Sequence, residues 1–324
     1  MLKKILVLAL LVAFLLPQNS TGAKTLWGMT HGERTKKIVA QAFLIDSDTY
    51  VSVMEDPKKI PWEKFNRIYI AFAAVNERGQ LIEGKVNTDE AQWKGRLNNI
   101  VAQCRVNNPK AEIFLMSERG EGAPNKNYLM AASDPENFAH TVYRLLQTYD
   151  LDGFDLGWQN KMNINDYSFE VIALLEALRN KFDKVDMTPR GKKYKLTYSV
   201  WPGSQLPQLV AKTRFLVDQI NIMSYGTAPK YSLDYYSHQY REAGFPYEKM
   251  IGGVISDVTF DDFAAGYQDN IDSVQSKCAT ALELNMAGMF AWRLDDDYCT
   301  VDGVNKSGAP TFRVANWLWN AMTN

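Results

Sequence analysis

The strongest constraint on the fold is a regular alternation of short apolar runs with longer amphipathic segments. The runs are rich in β-branched and aromatic residues, and they lie at 37–45, 67–75, 111–117, 151–159, 195–202, 217–225, 250–256 and 288–294. Between them lie segments such as NFAHTVYRLLQTYD, whose apolar residues recur at i, i+3, i+4 and i+7, as in an amphipathic helix. This alternation predicts an α/β fold in which helices cover a parallel sheet.

The number of strands decides how such a sheet is arranged. Eight strands followed by helices fit closure into a single (β/α)8 TIM barrel better than an open doubly wound sheet. The first run also lacks the G-x-G-x-x-G sequence that marks a dinucleotide-binding open sheet. Only about 30 residues separate Ser256 from Gly288, so we expect no large inserted α+β subdomain and a shallow, open groove. The last helix is predicted at TFRVANWLWNAM, where it would close the barrel.

The N-terminus has the layout of a secretory signal peptide. Lys3 and Lys4 precede an apolar run, and the small-residue sequence TGA follows it. The run has about 12 residues, which is short for a membrane-spanning helix of about 20. We therefore predict a signal peptide at 1–23 and one barrel at 24–324. The protein is expected to be secreted or periplasmic, without attachment to a membrane after cleavage.

Charge and composition exclude several classes of partner. The formal net charge of −1 gives no electrostatic reason to expect nucleic acid or an anionic membrane. The three cysteines and three histidines show no metal-ligand spacing, so we expect neither a metal nor a cofactor. A disulfide between Cys278 and Cys299 stays open as an alternative, and the sequence does not define the oligomeric state.

The fourth run, LDGFDLGWQ, shows a clear division between its two faces. Side chains alternate along a strand, so one set faces the helices: Phe154, Leu156 and Trp158. The other set is small or polar and faces the barrel interior: Gly153, Asp155, Gly157 and Gln159. Barrel sites form at the carboxyl ends of the strands. Further candidates end other runs there: Ser117, Trp201, Met223, Tyr225 and Trp292.

At the fourth run the chain resembles the family 18 glycoside hydrolases, the family of chitinases and endo-N-acetylglucosaminidases. Their fourth strand carries D-x-x-D-x-D-x-E, and the same register here reads Asp152, Asp155, Gly157 and Gln159. Further stretches fit the family in order: IAFA on the second strand, SERG loosely on the third, MSYG on the sixth and FAW on the eighth. The resemblance covers essentially the whole chain after the predicted signal peptide.

The resemblance implies a substrate-assisted mechanism whose catalytic groups are missing here. In the family a protonated glutamate donates to the glycosidic oxygen, and the aspartate two residues earlier steers the substrate's N-acetyl group. Gln159 stands at the position of the acid and cannot transfer a proton at neutral pH, while Gly157 stands at that of the aspartate. Gly226 replaces another family aspartate. General acid catalysis alone typically contributes about 10²–10⁴-fold, so we expect impaired catalysis, with Asp152 and Asp155 holding neighbouring segments.

The resemblance also assigns sugar contacts, and these residues are retained. Trp292 would stack on an N-acetylglucosamine ring, the Tyr225 hydroxyl would meet its acetamide, and Met223 would line the same pocket. Ser117 belongs to the third-strand motif, and Trp201 either lines the groove or caps the barrel. Stacking and apolar cover need no ionised group, so such a site binds sugar without cleaving it.

Three functions follow from these observations. The first is a secreted chitinase-like protein that binds glycans containing N-acetylglucosamine, such as chitin, without catalysis. The second is an active glycoside hydrolase of N-acetylglucosamine polymers or N-glycans with a relocated acid, for which Glu118, Glu121 and Asp257 are candidates. The third is an interaction or inhibitor barrel with a vestigial groove.

Overall fold

Eight parallel strands form a closed barrel, as the sequence predicts. The strands are β1 Ile38–Leu44, β2 Arg67–Val75, β4 Glu112–Ser117, β5 Gly153–Leu156, β6 Lys195–Val200, β7 Gln219–Ile222, β8 Met250–Ile255 and β9 Gly288–Trp292. Each pairs with the next one around the barrel, and β1 closes it by pairing with both β2 and β9. A short additional strand, β3 Leu81–Ile82, pairs antiparallel with the end of β2.

The structure is a computed structural model of the chain. It describes residues 37–84, 89–120, 123–158, 164–185, 187–229, 232–256, 269–297 and 310–324. These residues belong to one structural unit, Lys37–Asn324. The predicted signal peptide at 1–23 lies outside the described residues and stays a prediction.

Helices connect the strands on the outside of the barrel. They are α1 Asp48–Met54, α2 Glu90–Asn107, α3 Ala123–Ser133, α4 Pro135–Thr148, α5 Ser168–Lys184, α6 Pro207–Lys212, α7 Leu233–Glu242, α8 Ile271–Glu283 and α9 Arg313–Thr323. Side-chain caps define several starts: Asp89 accepts from two backbone N–H groups of α2, and Asn270 forms a capping box with Ser273 on α8. Between β8 and β9, the described part of the chain forms α8 alone, as expected without an inserted subdomain.

Two apolar layers result from the alternation of side chains along the strands. Phe154 and Leu156 of β5, and Trp158 shortly after it, pack in the large layer between barrel and helices. A smaller cluster fills the barrel interior. Asp155 is fully buried on the inner side, so the predicted division of faces is confirmed for the described residues of this run, which end before Gln159. None of the described helices has both the length and the apolar character needed to span a bilayer.

Two of the three cysteines lie in the described part of the chain. Cys104 and Cys278 are buried free thiols. Burial raises the pKa of each thiol to about 12, so both are protonated at neutral pH. Cys299, the partner considered for Cys278, lies outside the described residues.

Candidate functional site at the carboxyl end of the barrel

Four of the predicted sugar contacts come together in the interior cluster near the carboxyl ends of the strands. Trp201, Met223, Tyr225 and Trp292 all belong to it. Their exposures are 3%, 5%, 2% and 7%, so each side chain is almost completely covered. The ring of Trp201 meets that of Tyr225 edge to face, with centroids 6.0 Å apart. The structure therefore places Trp201 inside the interior cluster, against Tyr225.

Trp292 has two features that bear on ligand binding. Phe72, which the sequence analysis did not select, stacks on its ring with centroids 5.4 Å apart and an interplanar angle of 27°. The Nε1 atom of Trp292 is buried and has no hydrogen-bond partner among the described residues. A buried donor without an acceptor costs about 1–3 kcal/mol. An acceptor on a bound ligand would remove this cost.

Asp155 lies deeper in the barrel and is held by three side chains of the neighbouring strands. Its Oδ1 accepts hydrogen bonds from Thr197 Oγ1 at 2.5 Å and Asn221 Nδ2 at 2.7 Å, and its Oδ2 accepts from Ser199 Oγ at 2.6 Å. Burial raises the pKa of Asp155 to about 6, against the lowering effect of these donors. Because both oxygens have internal partners, the carboxyl group joins strands β5, β6 and β7.

A polar network continues from Asp155 toward the amino ends of the strands. The Tyr69 hydroxyl donates to Asn221 Oδ1 at 3.0 Å and accepts from Arg67 at 3.1 Å. Arg67 is itself fully buried and pairs with Glu112 at 2.6 Å. Its guanidinium lies 4.3 Å from the centre of the Phe114 ring. Asp155 is therefore one end of a buried network that crosses the barrel interior.

Asp152, the first acid of the fourth-strand pattern, lies at the amino end of the barrel, opposite Trp201, Tyr225 and Trp292. It precedes β5 and accepts from the Ile113 backbone N–H at 2.8 Å. Arg105 and Arg190 each approach its Oδ2 to 3.1 Å. These contacts fix the start of β5, so Asp152 has a structural position and does not reach the cluster.

Gly157 is enclosed by the end of the neighbouring strand. Its backbone N–H donates to Ser117 Oγ at 2.9 Å. An ideal Cβ built on Gly157 would lie only 2.0 Å from the carbonyl oxygen of Ser117 and 3.0 Å from that of Glu118. Tyr128 fixes this strand end, because its hydroxyl lies 2.8 Å from Ser117 Oγ and 2.6 Å from the Glu118 carbonyl oxygen. Ser117 is thus fully buried and engaged within the protein.

The profile of the glycosyl hydrolases family 18 matches residues 46–257, which is more than half of the chain. The chain belongs to this family. An endochitinase from Brugia malayi is 26% identical over 150 residues, an alignment that covers 45% of this chain and 29% of that relative. The chain thus spans less than a third of the curated relative.

Solved family 18 structures share the fold. A mutant of the class V chitinase from Nicotiana tobaccum, in complex with NAG4, superposes with a TM-score of 0.67 at 16% identity, covering 88% of this chain and 99% of that one. Human YKL-39, a pseudo-chitinase with retained chitooligosaccharide binding properties, superposes with a TM-score of 0.65 at 15% identity, covering 89% and 100%. At these identities the likeness shows the fold alone, and it confirms the single (β/α)8 barrel.

The acids considered as replacements for the family 18 glutamate differ in what the structure shows of them. Glu118 is half-buried, and its Oε1 accepts from the Val75 backbone N–H at 3.1 Å at the end of β2. Glu121 and Asp257 lie outside the described residues, as does Gln159 itself. Among the described residues no three His, Cys, Asp or Glu side chains are grouped so that they would hold a metal ion.

Proposed function

We propose that this family 18 protein is a secreted chitinase-like protein that binds oligosaccharides of N-acetylglucosamine and does not hydrolyse them. The observation that carries the proposal is the enclosure of Gly157. A side chain at this position has no space beside the Ser117 carbonyl, whereas Trp292, Tyr225 and Met223 stay together in the interior cluster of the barrel. The position that assists catalysis is closed, and the residues that would contact sugar are kept.

The chemistry of the two altered positions supports the absence of hydrolysis. The amide of Gln159 donates hydrogen bonds but carries no transferable proton at neutral pH. Gly157 has no group that would orient the substrate's acetamido group. Asp155 is the nearest described acid along the strand, and its carboxyl oxygens are already bonded to Thr197, Ser199 and Asn221. Glu118 is bonded to the Val75 backbone, so neither carboxyl group is disposed as a free replacement acid.

The retained residues support sugar binding. Aromatic rings bind the apolar faces of sugars without any ionised group, and the unpartnered N–H of Trp292 offers a donor to a ligand oxygen. Two structural neighbours bear on the choice of ligand. The tobacco chitinase mutant is in complex with NAG4 and YKL-39 binds chitooligosaccharides, so we propose the same class of ligand for this chain.

One observation favours a second candidate, an interaction or inhibitor barrel that does not use sugar. Trp201, Tyr225 and Trp292 are exposed by 7% or less. Rings that stay this covered would not stack on a sugar unless a neighbouring segment moved. This candidate therefore differs from the first in its response to sugar, not in its fold.

Calorimetric titration with chitotetraose, together with a hydrolysis assay on a 4-nitrophenyl chitooligosaccharide, tests the proposal. We expect saturable binding and chromophore release at the buffer rate. Absence of binding at millimolar tetrasaccharide would favour the interaction barrel. Brisk release that is lost in Glu118→Gln would instead establish an enzyme with a relocated acid.

A further inference from the structure

A buried lysine on α8 holds the turn that carries Tyr225. The turn follows β7 and consists of Ser224, Tyr225 and Gly226. Lys277 Nζ donates to the Ser224 carbonyl oxygen at 2.5 Å and to the Gly226 carbonyl oxygen at 2.8 Å. The ammonium group thus binds the main chain on both sides of the tyrosine.

Asp269 completes this arrangement and binds the same turn from the other side. Its Oδ1 accepts from Lys277 Nζ at 2.7 Å, and its Oδ2 accepts from the Gly226 backbone N–H at 2.9 Å. The same Oδ2 accepts from the Ile255 backbone N–H at 2.8 Å, at the end of β8. The pair therefore ties the turn after β7 to the end of the adjacent strand.

Both charged groups are withdrawn from solvent. The side chain of Lys277 is 11% exposed and that of Asp269 is 0% exposed. Burying an ion pair is expensive unless its hydrogen bonds are satisfied within the protein, and here the main chain of the turn supplies several of the partners. The charges are thus arranged around a short piece of backbone.

Gly226 gives this turn no side chain of its own. Its φ is +70°, in the left-handed region that residues with a Cβ adopt at a cost. Gly226 stands where the resemblance places a family aspartate, so no side chain at position 226 fixes the turn from within. The main-chain contacts of Lys277 and Asp269 take over that task.

We infer that Lys277 and Asp269 are positioning residues for the sugar site. They act through the Ser224–Gly226 backbone, which sets the Tyr225 ring against Trp201 and into the interior cluster. The inference rests on the proposed function, because it assigns a role to Tyr225 in binding N-acetylglucosamine oligosaccharides.

The chain supplies a matched control at the other end of the barrel. Lys249 precedes β8, and its Nζ also donates to two backbone carbonyls, those of Arg214 and Val217, at 2.8 Å each. This lysine holds the segment before β7 rather than the turn after it. Lys249→Met therefore removes a comparable contact without touching Tyr225.

The experiment compares wild type, Lys277→Met and Lys249→Met by chitotetraose titration, near-ultraviolet circular dichroism and thermal unfolding. We expect at least tenfold weaker binding and an altered aromatic spectrum for Lys277→Met. Lys249→Met should bind within twofold of wild type even where its melting temperature falls. If Lys277→Met does not fold, the charge-balanced pair Lys277→Met with Asp269→Asn takes its place.

Two results would overturn the inference: wild-type affinity with an unchanged spectrum in Lys277→Met, or an equal loss of affinity in Lys249→Met. A wild-type protein that binds no tetrasaccharide contradicts the proposed function instead. The circular dichroism spectrum then tests the positioning role. An aromatic signal that changes in Lys277→Met and not in Lys249→Met supports the role, and an unchanged signal in Lys277→Met refutes it.

Discussion

The carbonyl oxygen of Ser117 fills the space that a side chain at residue 157 would need, since an ideal Cβ there would lie 2.0 Å away. The two residues are also joined by the hydrogen bond from the Gly157 N–H to Ser117 Oγ. The end of β4 is thus packed directly against the backbone at residue 157, and this arrangement leaves no room for a side chain there.

This packing predicts that Gly157→Ala destabilises the protein. The methyl group meets backbone atoms that cannot rotate away, and overpacking of this kind typically costs about 1–3 kcal/mol or more. Urea unfolding measures the change. Gly95→Ala is the matched control, because its Cβ would meet nothing within 4 Å in α2, and alanine there should raise stability by up to about 1 kcal/mol. Equal effects at both positions would contradict the close approach.

Restoring the family's catalytic residues should not restore hydrolysis. Gln159→Glu supplies an acid, but Gly157→Asp forces the end of β4 away and does not recover the native geometry of an assisting aspartate. We expect both single variants and the double variant to release 4-nitrophenol at the rate of the wild type. A gain of about 10²-fold or more in the double variant, the lower end of general acid catalysis, would show that the site is intact apart from these two side chains.

Trp292 is predicted to carry much of the sugar affinity. Aromatic contacts contribute about 0.5–1.5 kcal/mol beyond area burial, so Trp292→Ala should weaken chitotetraose binding by about tenfold or more, since 1.4 kcal/mol is tenfold. Trp292→Phe keeps a ring and should bind more tightly than the alanine variant. Phe169→Ala serves as the control, because Phe169 is 81% exposed and lies outside the cluster. Wild-type affinity in Trp292→Ala would exclude Trp292 as a sugar-stacking residue.

The sequence predicts the barrel closely where the chain follows sheet periodicity. The sequence predicts the second strand at 67–75, and β2 begins and ends at those residues. The fourth run, expected at 151–159, is shorter in the structure, where β5 covers Gly153–Leu156. Its ends leave the sheet because the Asp152 carboxylate forms ion pairs with Arg105 and Arg190, and the Gly157 N–H donates to a side chain, Ser117 Oγ.

The parts of the site that the sequence does not reveal depend on contacts between distant residues. Ser117 and Gly157 are 40 positions apart, and Lys277 lies 51 positions from Gly226. No spacing rule connects such pairs. Phe72 had a visible cue, because it lies in the IAFA stretch, but its stacking on Trp292 follows only from the pairing of β1 with both β2 and β9.

Asp155 should make the stability of the fold depend on pH. Its pKa is raised by burial to about 6 in the folded protein, against the usual 3.8. The folded state therefore binds a proton more tightly than the unfolded state. The resulting stabilisation is fully present below pH 3.8 and is lost as the pH rises toward 6 and above. The separation of the two pKa values corresponds to about 3 kcal/mol.

Urea unfolding of wild type and Asp155→Asn at pH 4, 5, 6 and 7 measures how much the ionisation of Asp155 changes the free energy of unfolding. We expect the free energy of unfolding of wild type, minus that of the variant, to fall by about 2 kcal/mol from pH 4 to pH 7, because part of the full difference is already lost at pH 4. Subtracting the variant is necessary because burial also raises the pKa of Asp297 to about 7, which adds a term of the same sign. A difference that stays constant with pH would mean that Asp155 ionises in the barrel as readily as in water. In that case the hydrogen bonds from Thr197, Ser199 and Asn221 fully offset its burial.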